Sequence, residues 1–118
     1  MENCLFCRIF EKKIPSTIHY ESKNVLAFQD LHPVAPTHLL FIHKNHSKDA
    51  LEMVEKNPQD ILDIFEAIRL WREQQKTQDK TNSQSFRLLT NVGELAGQSV
   101  FHTHFHLVGG KKLSWPGI

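Results

Sequence analysis

An alternating segment near the end of the chain constrains the fold more than any other feature. The stretch FHTHFHLV at positions 101–108 places histidine at every second residue. Alternate side chains of a β-strand share one face, whereas alternate residues of a helix point about 200° apart. The pattern therefore predicts a strand with three imidazoles on one face, and with Phe101, Phe105 and Leu107 directed into the core on the other.

The rest of the chain predicts an α+β domain. Turn signals and apolar patterning predict five strands, over residues 17–21, 25–30, 38–43, 85–91 and 99–108. Asn57-Pro58 is typical of a helix start, and apolar residues at three- and four-residue spacing continue to about Gln75. A shorter helix is predicted over residues 4–12, with Asn3 as its N-cap. Without βαβ alternation, these elements indicate a mostly antiparallel five-stranded sheet with one long and one short helix.

Composition fits a single globular domain over residues 1–118, with a tail at 111–118. The 118 residues are 40% hydrophobic and 23% charged, as in ordinary soluble domains. A net charge of +1 excludes the broad basic field of a duplex nucleic-acid binder and argues against a polybasic membrane anchor. With no signal-like or membrane-spanning apolar run in the sequence, we expect a cytoplasmic protein.

The eight histidines point to chemistry rather than to packing. One half-buried histidine in a strand is usually structural, but three on one face each need a partner and none improves packing. They could bind one zinc ion with an open position, or they could handle phosphate. The loop GELAGQS at 93–99 favours phosphate, because flexible backbone N–H groups and a hydroxyl can converge on an anion. An ordinary hairpin loop is the alternative for that segment.

Cys4 and Cys7 form a C-x-x-C pair. In a reducing compartment this spacing suggests metal binding or redox exchange before a structural disulfide. A thioredoxin-like pair should follow a buried strand, and only three residues precede Cys4, so redox exchange is the weaker alternative. A zinc site would need two further ligands from elsewhere in the chain.

The histidine segment resembles the His-φ-His-φ-His-φ-φ signature of the histidine-triad (HIT) nucleotide-binding proteins, with Thr103 at a usually aliphatic position. Further segments resemble the family in the same order, namely Ile14-Pro15 and residues 25–30, 33–38, 91–94 and 96–101. Gly109-Gly110 and the closing residues 115–117 are similar to the Hint-like branch. The resemblance spans nearly the whole chain except the helix surface and residues 77–84. His43 departs from it by replacing a common proline, and so does the Pro-Gly-Ile ending.

The resemblance implies a covalent mechanism at phosphorus. His104 would attack the α-phosphorus of a nucleoside 5′-phosphoramidate or related ester, and water would then release the nucleoside monophosphate. Resemblance to this branch implies that the nucleoside is a purine. A neutral imidazole is a competent nucleophile near pH 7. The other implied catalytic residues are His106 at the α-phosphate, Ser99 near the leaving atom, and His38 as a support for the triad.

The resemblance also implies a set of substrate contacts. Asp30 would accept from the ribose hydroxyls, although an Asp at a strand end could simply cap a turn. The residues implied at the phosphate are Asn91, Gly97 and Gln98. The residues implied at the purine, each of which could instead be simple core, are Leu5, Phe6, Ile9, Phe28, Leu31 and Leu40.

Zinc and dimer formation are implied in the same way. The zinc ligands would be Cys4, Cys7, His46 and His102, in a structural site, and the chemistry itself would need no cofactor. Family members of this type are usually homodimers, and Trp71 and Trp115 are candidates for either interface or intramolecular packing. His19, His32 and His43 have no assigned chemistry and are predicted to be surface or loop residues.

A second hypothesis is a non-catalytic nucleotide-binding module that uses the same pocket for regulation or for interaction with a partner. Within the enzyme class, His106 argues against the nucleotidyl-transferase branch, which has Gln at the third triad position. The short chain also lacks the added domains expected of a DNA-adenylate repair enzyme.

Overall fold

The computed structural model describes residues 3–76 and 84–115. Five antiparallel strands form one sheet in the order β1-β2-β3-β5-β4. The strands are β1 (Ile18–Glu21), β2 (Val25–Gln29), β3 (Thr37–His43), β4 (Phe86–Leu89) and β5 (His104–Gly109). The helices are α1 (Leu5–Phe10), α2 (Ala50–Lys56) and α3 (Pro58–Gln75). The predicted α+β architecture is confirmed, while the predicted connection at 77–83 and the end of the tail at 116–118 lie outside the described residues.

The two faces of the sheet bury different layers. On one face, α3 packs against β3 and β5 through a core that contains Phe41, Phe105 and Leu107. On the other face, α1 packs against β2 and β3. In the register between β3 and β5, Leu40 lies opposite His106 and Ile42 lies opposite His104, which places both histidines on the α1 side.

Strand β5 is shorter than predicted, because it begins at His104 rather than at residue 99. The Thr103 N–H donates to the Ser47 carbonyl oxygen at 2.8 Å, so the preceding segment bonds to the loop after β3 instead of joining the sheet. Phe105 and Leu107 are buried in the core as predicted. The prediction for Phe101 is wrong: it lies outside the strand and its side chain is 48% exposed.

Helix α3 begins at Pro58 and ends at Gln75, as the sequence predicts. Its buried face carries Ile64, Ala67, Ile68 and Trp71. Trp71 packs edge-on against Phe86 on β4, with ring centroids 6.2 Å apart. Of the two packing alternatives for Trp71, the structure shows the intramolecular one. No helix within the described ranges has the length and apolar character that a membrane crossing requires.

Helix α2 is not among the elements predicted from the sequence. The Asp49 side chain accepts from the Glu52 N–H at 3.0 Å, and the Glu52 carboxylate accepts from the Lys48 N–H at 3.0 Å. Such reciprocal bonds satisfy N–H groups that have no partner within the helix. The acidic residue followed three positions later by Glu is a signal that could have predicted this helix start.

Candidate active site and metal cluster

The ring of His104 is held in one tautomer by the backbone. Its Nδ1 lies 2.8 Å from the His102 carbonyl oxygen, which can only accept a hydrogen bond. Nδ1 therefore carries the proton, and Nε2 keeps a lone pair. Burial lowers the pKa of His104, so the ring is neutral near pH 7. This is the protonation state that a nitrogen nucleophile requires.

His106 is oriented through a chain that runs to His38 and Asp30. The Val34 N–H donates to His38 Nδ1 at 3.1 Å, so the proton of His38 is on Nε2. That Nε2 lies 2.9 Å from His106 Nδ1 and 3.3 Å from Asp30 Oδ2. His106 Nδ1 then accepts, which leaves Nε2–H of His106 as a donor. Burial lowers the pKa of His106 to about 4, with the neighbouring His104 and His38 contributing less.

The same three residues bring an oxygen and two nitrogens close enough to suggest a metal site. The hydrogen bonds oppose that interpretation. His38 could bind a metal through Nε2 only if its proton moved to Nδ1, where it would face the Val34 N–H. We therefore interpret Asp30, His38 and His106 as a proton-bearing chain that orients His106.

The loop before β5 is shaped by its own amide side chains. Asn91 Nδ2 donates to the Ala96 carbonyl at 2.7 Å, and Gln98 Oε1 accepts from the Gly93 N–H at 2.9 Å. Gln98 also donates through Nε2 to the Lys48 carbonyl at 2.6 Å. Gly97 adopts φ +90°, a conformation that side-chain-bearing residues rarely take. Asn91 and Gln98 thus hold the loop in place around Gly97.

Ser99 is exposed and lines a cavity of about 370 Å³. Leu5, Val100 and Phe101 contribute the apolar part of its lining. The cavity therefore begins at the residue predicted to lie near the leaving atom and extends along the start of α1.

The six residues predicted to contact the purine fall into a buried group and an exposed group. Four of them belong to the apolar cluster beneath α1, namely Phe6, Ile9, Phe28 and Leu40. Leu5 and Leu31 are 43% and 84% exposed. The Phe6 ring meets the His104 ring edge-on at 5.0 Å between centroids, so the apolar cluster adjoins His104.

Cys4, Cys7, His46 and His102 converge, as the resemblance implies. His102 Nε2 donates to the His43 carbonyl at 2.9 Å, which leaves the lone pair on Nδ1. From this Nδ1, Cys4 Sγ lies 3.3 Å away, Cys7 Sγ 3.4 Å and His46 Nδ1 3.1 Å. Burial lowers the pKa of His102 to about 3 and raises the pKa of the Cys7 thiol to about 12.

This donor set fits a tetrahedral zinc ion. Metal–ligand bonds of about 2.0–2.3 Å give tetrahedron edges of roughly 3.3–3.8 Å, close to the separations around His102 Nδ1. A ligand histidine normally donates its other ring N–H to a carbonyl or carboxylate, and His102 donates to the His43 carbonyl.

The prediction that His43 is a surface or loop residue is wrong. His43 is fully buried in β3, whereas His19 and His32 are exposed as predicted. Its Nδ1 lies 2.8 Å from Asp60 Oδ2 and its Nε2 lies 2.9 Å from Ser47 Oγ. Asp60 occupies the same face of α3 as Ile64, and an acidic residue on an apolar stripe is the signal that could have revealed a buried partner.

The structure combines a five-stranded antiparallel sheet, a neutral buried histidine with an oriented partner, and an adjacent Cys₂His₂ cluster, as expected of a histidine-triad domain. A family model for the HIT domain matches residues 11–113. The chain therefore belongs to the HIT family.

Relatives and solved structures agree with this assignment. The chain is 38% identical to a 14 kDa zinc-binding protein of Zea mays, covering 95% of this chain and 85% of the relative. It is 36% identical to the adenylylsulfatase HINT1 of Arabidopsis thaliana, covering 95% and 74%. A HIT family hydrolase from Clostridium thermocellum superposes with a TM-score of 0.84 at 41% identity, covering 100% of this chain and 98% of that one.

Proposed function

We propose that this chain is a hydrolase that cleaves nucleoside 5′-phosphoramidates or related α-phosphate conjugates through a nucleotidyl-histidine intermediate. The observation that carries the proposal is the fixed tautomer of His104, in which the His102 carbonyl holds Nδ1–H and leaves the Nε2 lone pair for attack. The names of the Clostridium hydrolase and of the Arabidopsis adenylylsulfatase support this class of reaction.

The reaction proceeds in two displacements at the α-phosphorus. In the first, His104 Nε2 forms a nitrogen–phosphorus bond while the bond to the leaving group breaks and the departing amine or oxygen takes up a proton. The Ser99 hydroxyl lies beside that leaving atom. In the second, water forms a bond to phosphorus and releases a proton, the nitrogen–phosphorus bond breaks, and its electron pair returns to Nε2 as the nucleoside monophosphate leaves. The proton released by water balances the one that the leaving group takes up from solvent in the first displacement.

His106 serves both displacements as a fixed donor. Its Nε2–H hydrogen-bonds a non-bridging phosphate oxygen, because His38 occupies Nδ1 at 2.9 Å. Oriented donors of this kind stabilise the charge that develops at phosphorus without reorganising. The loop shaped by Asn91, Gly97 and Gln98 closes the site on the phosphate side.

The nucleoside lies along α1. Asp30 accepts from the ribose hydroxyls, and the purine contacts Leu5 and Leu31, the exposed members of the predicted apolar set. The buried members, Phe6, Ile9, Phe28 and Leu40, form the floor, where the rings of Phe6 and Phe28 meet edge-on at 5.4 Å between centroids.

A structural zinc ion held by Cys4, Cys7, His46 and His102 completes the proposal. The ion would join α1 to the segment before β5 and would supply rigidity rather than chemistry. The zinc-binding name of the maize relative supports this assignment.

We also propose that the chain forms a homodimer in the cytoplasm. The outer face of α3 exposes Leu62, Phe65 and Leu70, and β4 is an edge strand of the sheet. Both features suit a second copy of the chain. The two reduced thiols of Cys4 and Cys7 suit a reducing compartment.

The test is to trap the intermediate. The protein is mixed with adenosine 5′-phosphoramidate, quenched rapidly in alkali and digested, and the peptide that contains His104 is weighed by mass spectrometry. We expect an added adenylyl group in the wild type and none in His104→Asn, together with release of adenosine monophosphate by the wild type alone. A wild type that binds adenosine monophosphate but neither releases it from the substrate nor labels His104 would instead favour the non-catalytic nucleotide-binding module.

A further inference from the structure

A second hydrogen-bonded chain lies behind the triad, among side chains that the proposed reaction does not use. It consists of Asp60, His43, Ser47 and Thr103, all of them buried. Asp60 Oδ2 and His43 Nδ1 are 2.8 Å apart, and His43 Nε2 and Ser47 Oγ are 2.9 Å apart. Ser47 Oγ and Thr103 Oγ1 are 2.5 Å apart.

The carboxylate at one end of this chain can only accept, and this fixes which group donates in each hydrogen bond. The Asp60 carboxylate accepts from His43 Nδ1–H, so Nε2 of a neutral His43 accepts from the Ser47 hydroxyl. The Ser47 oxygen then accepts from the Thr103 hydroxyl. No fully buried side-chain nitrogen or oxygen of these four residues lacks a hydrogen-bond partner, which is the condition under which a buried polar network specifies one geometry.

An aspartate, a histidine and a serine in this order resemble the arrangement that activates a serine nucleophile. Burial excludes that role, because Ser47 and His43 are fully enclosed and no substrate can reach the hydroxyl. The hydrogen-bonded chain therefore acts by fixing the positions of the residues that it contacts.

Its members adjoin both halves of the functional site. Thr103 stands between His102 and His104, and its N–H and hydroxyl both lie within hydrogen-bond distance of the Ser47 carbonyl, at 2.8 and 3.2 Å. Ser47 directly follows His46. The His43 carbonyl accepts from His102 Nε2 at 2.9 Å.

We propose that Asp60, His43, Ser47 and Thr103 are positioning residues that tie α3 to the segment before β5 and so fix His104 and the His102 carbonyl that orients it. Because that segment does not pair with a strand of the sheet, the Thr103–Ser47 contacts fix its position in place of strand pairing. A shift of the carbonyl would loosen the Nδ1–H bond of His104 and mix its tautomers.

The kinetic part of the test rests on the proposed function. Thr103→Val keeps the shape of the side chain but removes the hydroxyl, and Thr103→Ser restores it. We expect Thr103→Val to lower kcat for adenosine 5′-phosphoramidate about tenfold with KM within about twofold, since small misplacements of reacting groups cost rate. Thr103→Ser should keep at least about half of the wild-type kcat. Ser22→Ala, which removes a hydroxyl that accepts from the Val25 N–H at 3.2 Å, is the matched control and should leave kcat unchanged.

A second readout needs no turnover. Long-range proton–nitrogen spectra of the histidine rings report which ring nitrogen carries the proton. We expect a single Nδ1–H pattern for His104 in the wild type, in Thr103→Ser and in Ser22→Ala, and a mixed pattern in Thr103→Val. Should Thr103→Val fail to fold, Ser47→Ala is measured in its place, with the same expected result.

The outcomes separate this proposal from the one on which its kinetics rest. A wild type without turnover overturns the proposed function, and the ring spectra still decide the positioning role. A Thr103→Val protein with wild-type kcat and a single Nδ1–H pattern for His104 overturns the positioning role. Equal losses in Thr103→Val and Thr103→Ser overturn it as well, because the hydroxyl would then not be the group that matters.

Discussion

His102 and His104 are two residues apart on the same side of the molecule, yet the structure prepares them for opposite tasks. His102 donates through Nε2 to a carbonyl and directs the lone pair of Nδ1 toward two thiols and a second imidazole. His104 donates through Nδ1 and keeps its lone pair on Nε2. The lesson is that the backbone carbonyl bound by one ring nitrogen decides what the other nitrogen can do.

The largest effect should come from removing the nucleophile. We expect His104→Asn to lower kcat by about 10⁴-fold or more, as the loss of a nucleophile does in other covalent mechanisms. Steady-state release of adenosine monophosphate measures the loss, while the melting temperature and adenosine monophosphate affinity should stay close to wild type. A variant with comparable turnover would assign the nucleophile to another residue.

The matching change at His102 should affect stability instead. Structural zinc contributes its binding free energy to folding, so His102→Asn should lose bound zinc and lower the melting temperature by roughly 5–10 °C. Elemental analysis and thermal denaturation measure the two effects, and His104→Asn is the control from the same segment. If exhaustive chelation leaves the melting temperature of the wild-type protein unchanged, zinc does not stabilise the segment that carries His102.

A smaller effect is expected where one imidazole orients another. His38→Ala removes the Nε2–H that fixes His106, and we expect kcat to fall about 10- to 100-fold, the range seen when an orienting partner is lost. KM should change much less. If KM rises while kcat is unchanged, His38 contributes to binding rather than to the orientation of His106.

The smallest effect is a pH dependence of stability. The pKa of His106 is lowered to about 4 in the fold, from an ordinary value of 6.5. The unfolded chain therefore binds more protons between these values, and stability is lost as pH falls from about 6.5 toward 4. Urea denaturation at pH 7 and pH 4.5 should show a smaller decrease in His106→Gln than in wild type. Equal decreases would mean that other groups, including the metal ligands, account for the whole slope.

The features that could be predicted from the sequence are those with a local pattern. Alternation at 101–108 predicted a strand with three histidines on one face; the structure confirms this for His104 and His106, whereas His102 lies before the strand. Asn57-Pro58 predicted the start of α3. The ligand set Cys4, Cys7, His46 and His102 followed from resemblance, and the structure brings those four residues together.

The features that could not be predicted depend on partners distant in the chain. The Ser47 carbonyl accepts from the N–H of Thr103, which is 56 residues away in the sequence. This hydrogen bond shortens β5 and leaves Phe101 partly exposed. His43 is buried with Asp60 on α3 as its partner. The acidic residue on the apolar stripe of α3 signals a buried partner, but the sequence does not identify that partner as His43. Tertiary contacts of this kind override local strand patterning.

On a bound zinc ion, the thiolates of Cys4 and Cys7 would also set the electric field at His104. Zinc bound by two thiolates and two neutral imidazoles has no net charge, whereas four neutral imidazoles would leave a charge of +2. Two positive charges close to His104 would oppose a further positive charge on its ring. That field would lower the basicity of His104. Cys4 and Cys7 would cancel it, so that a divalent ion could lie near His104 without lowering the reactivity that the proposed mechanism requires of this ring.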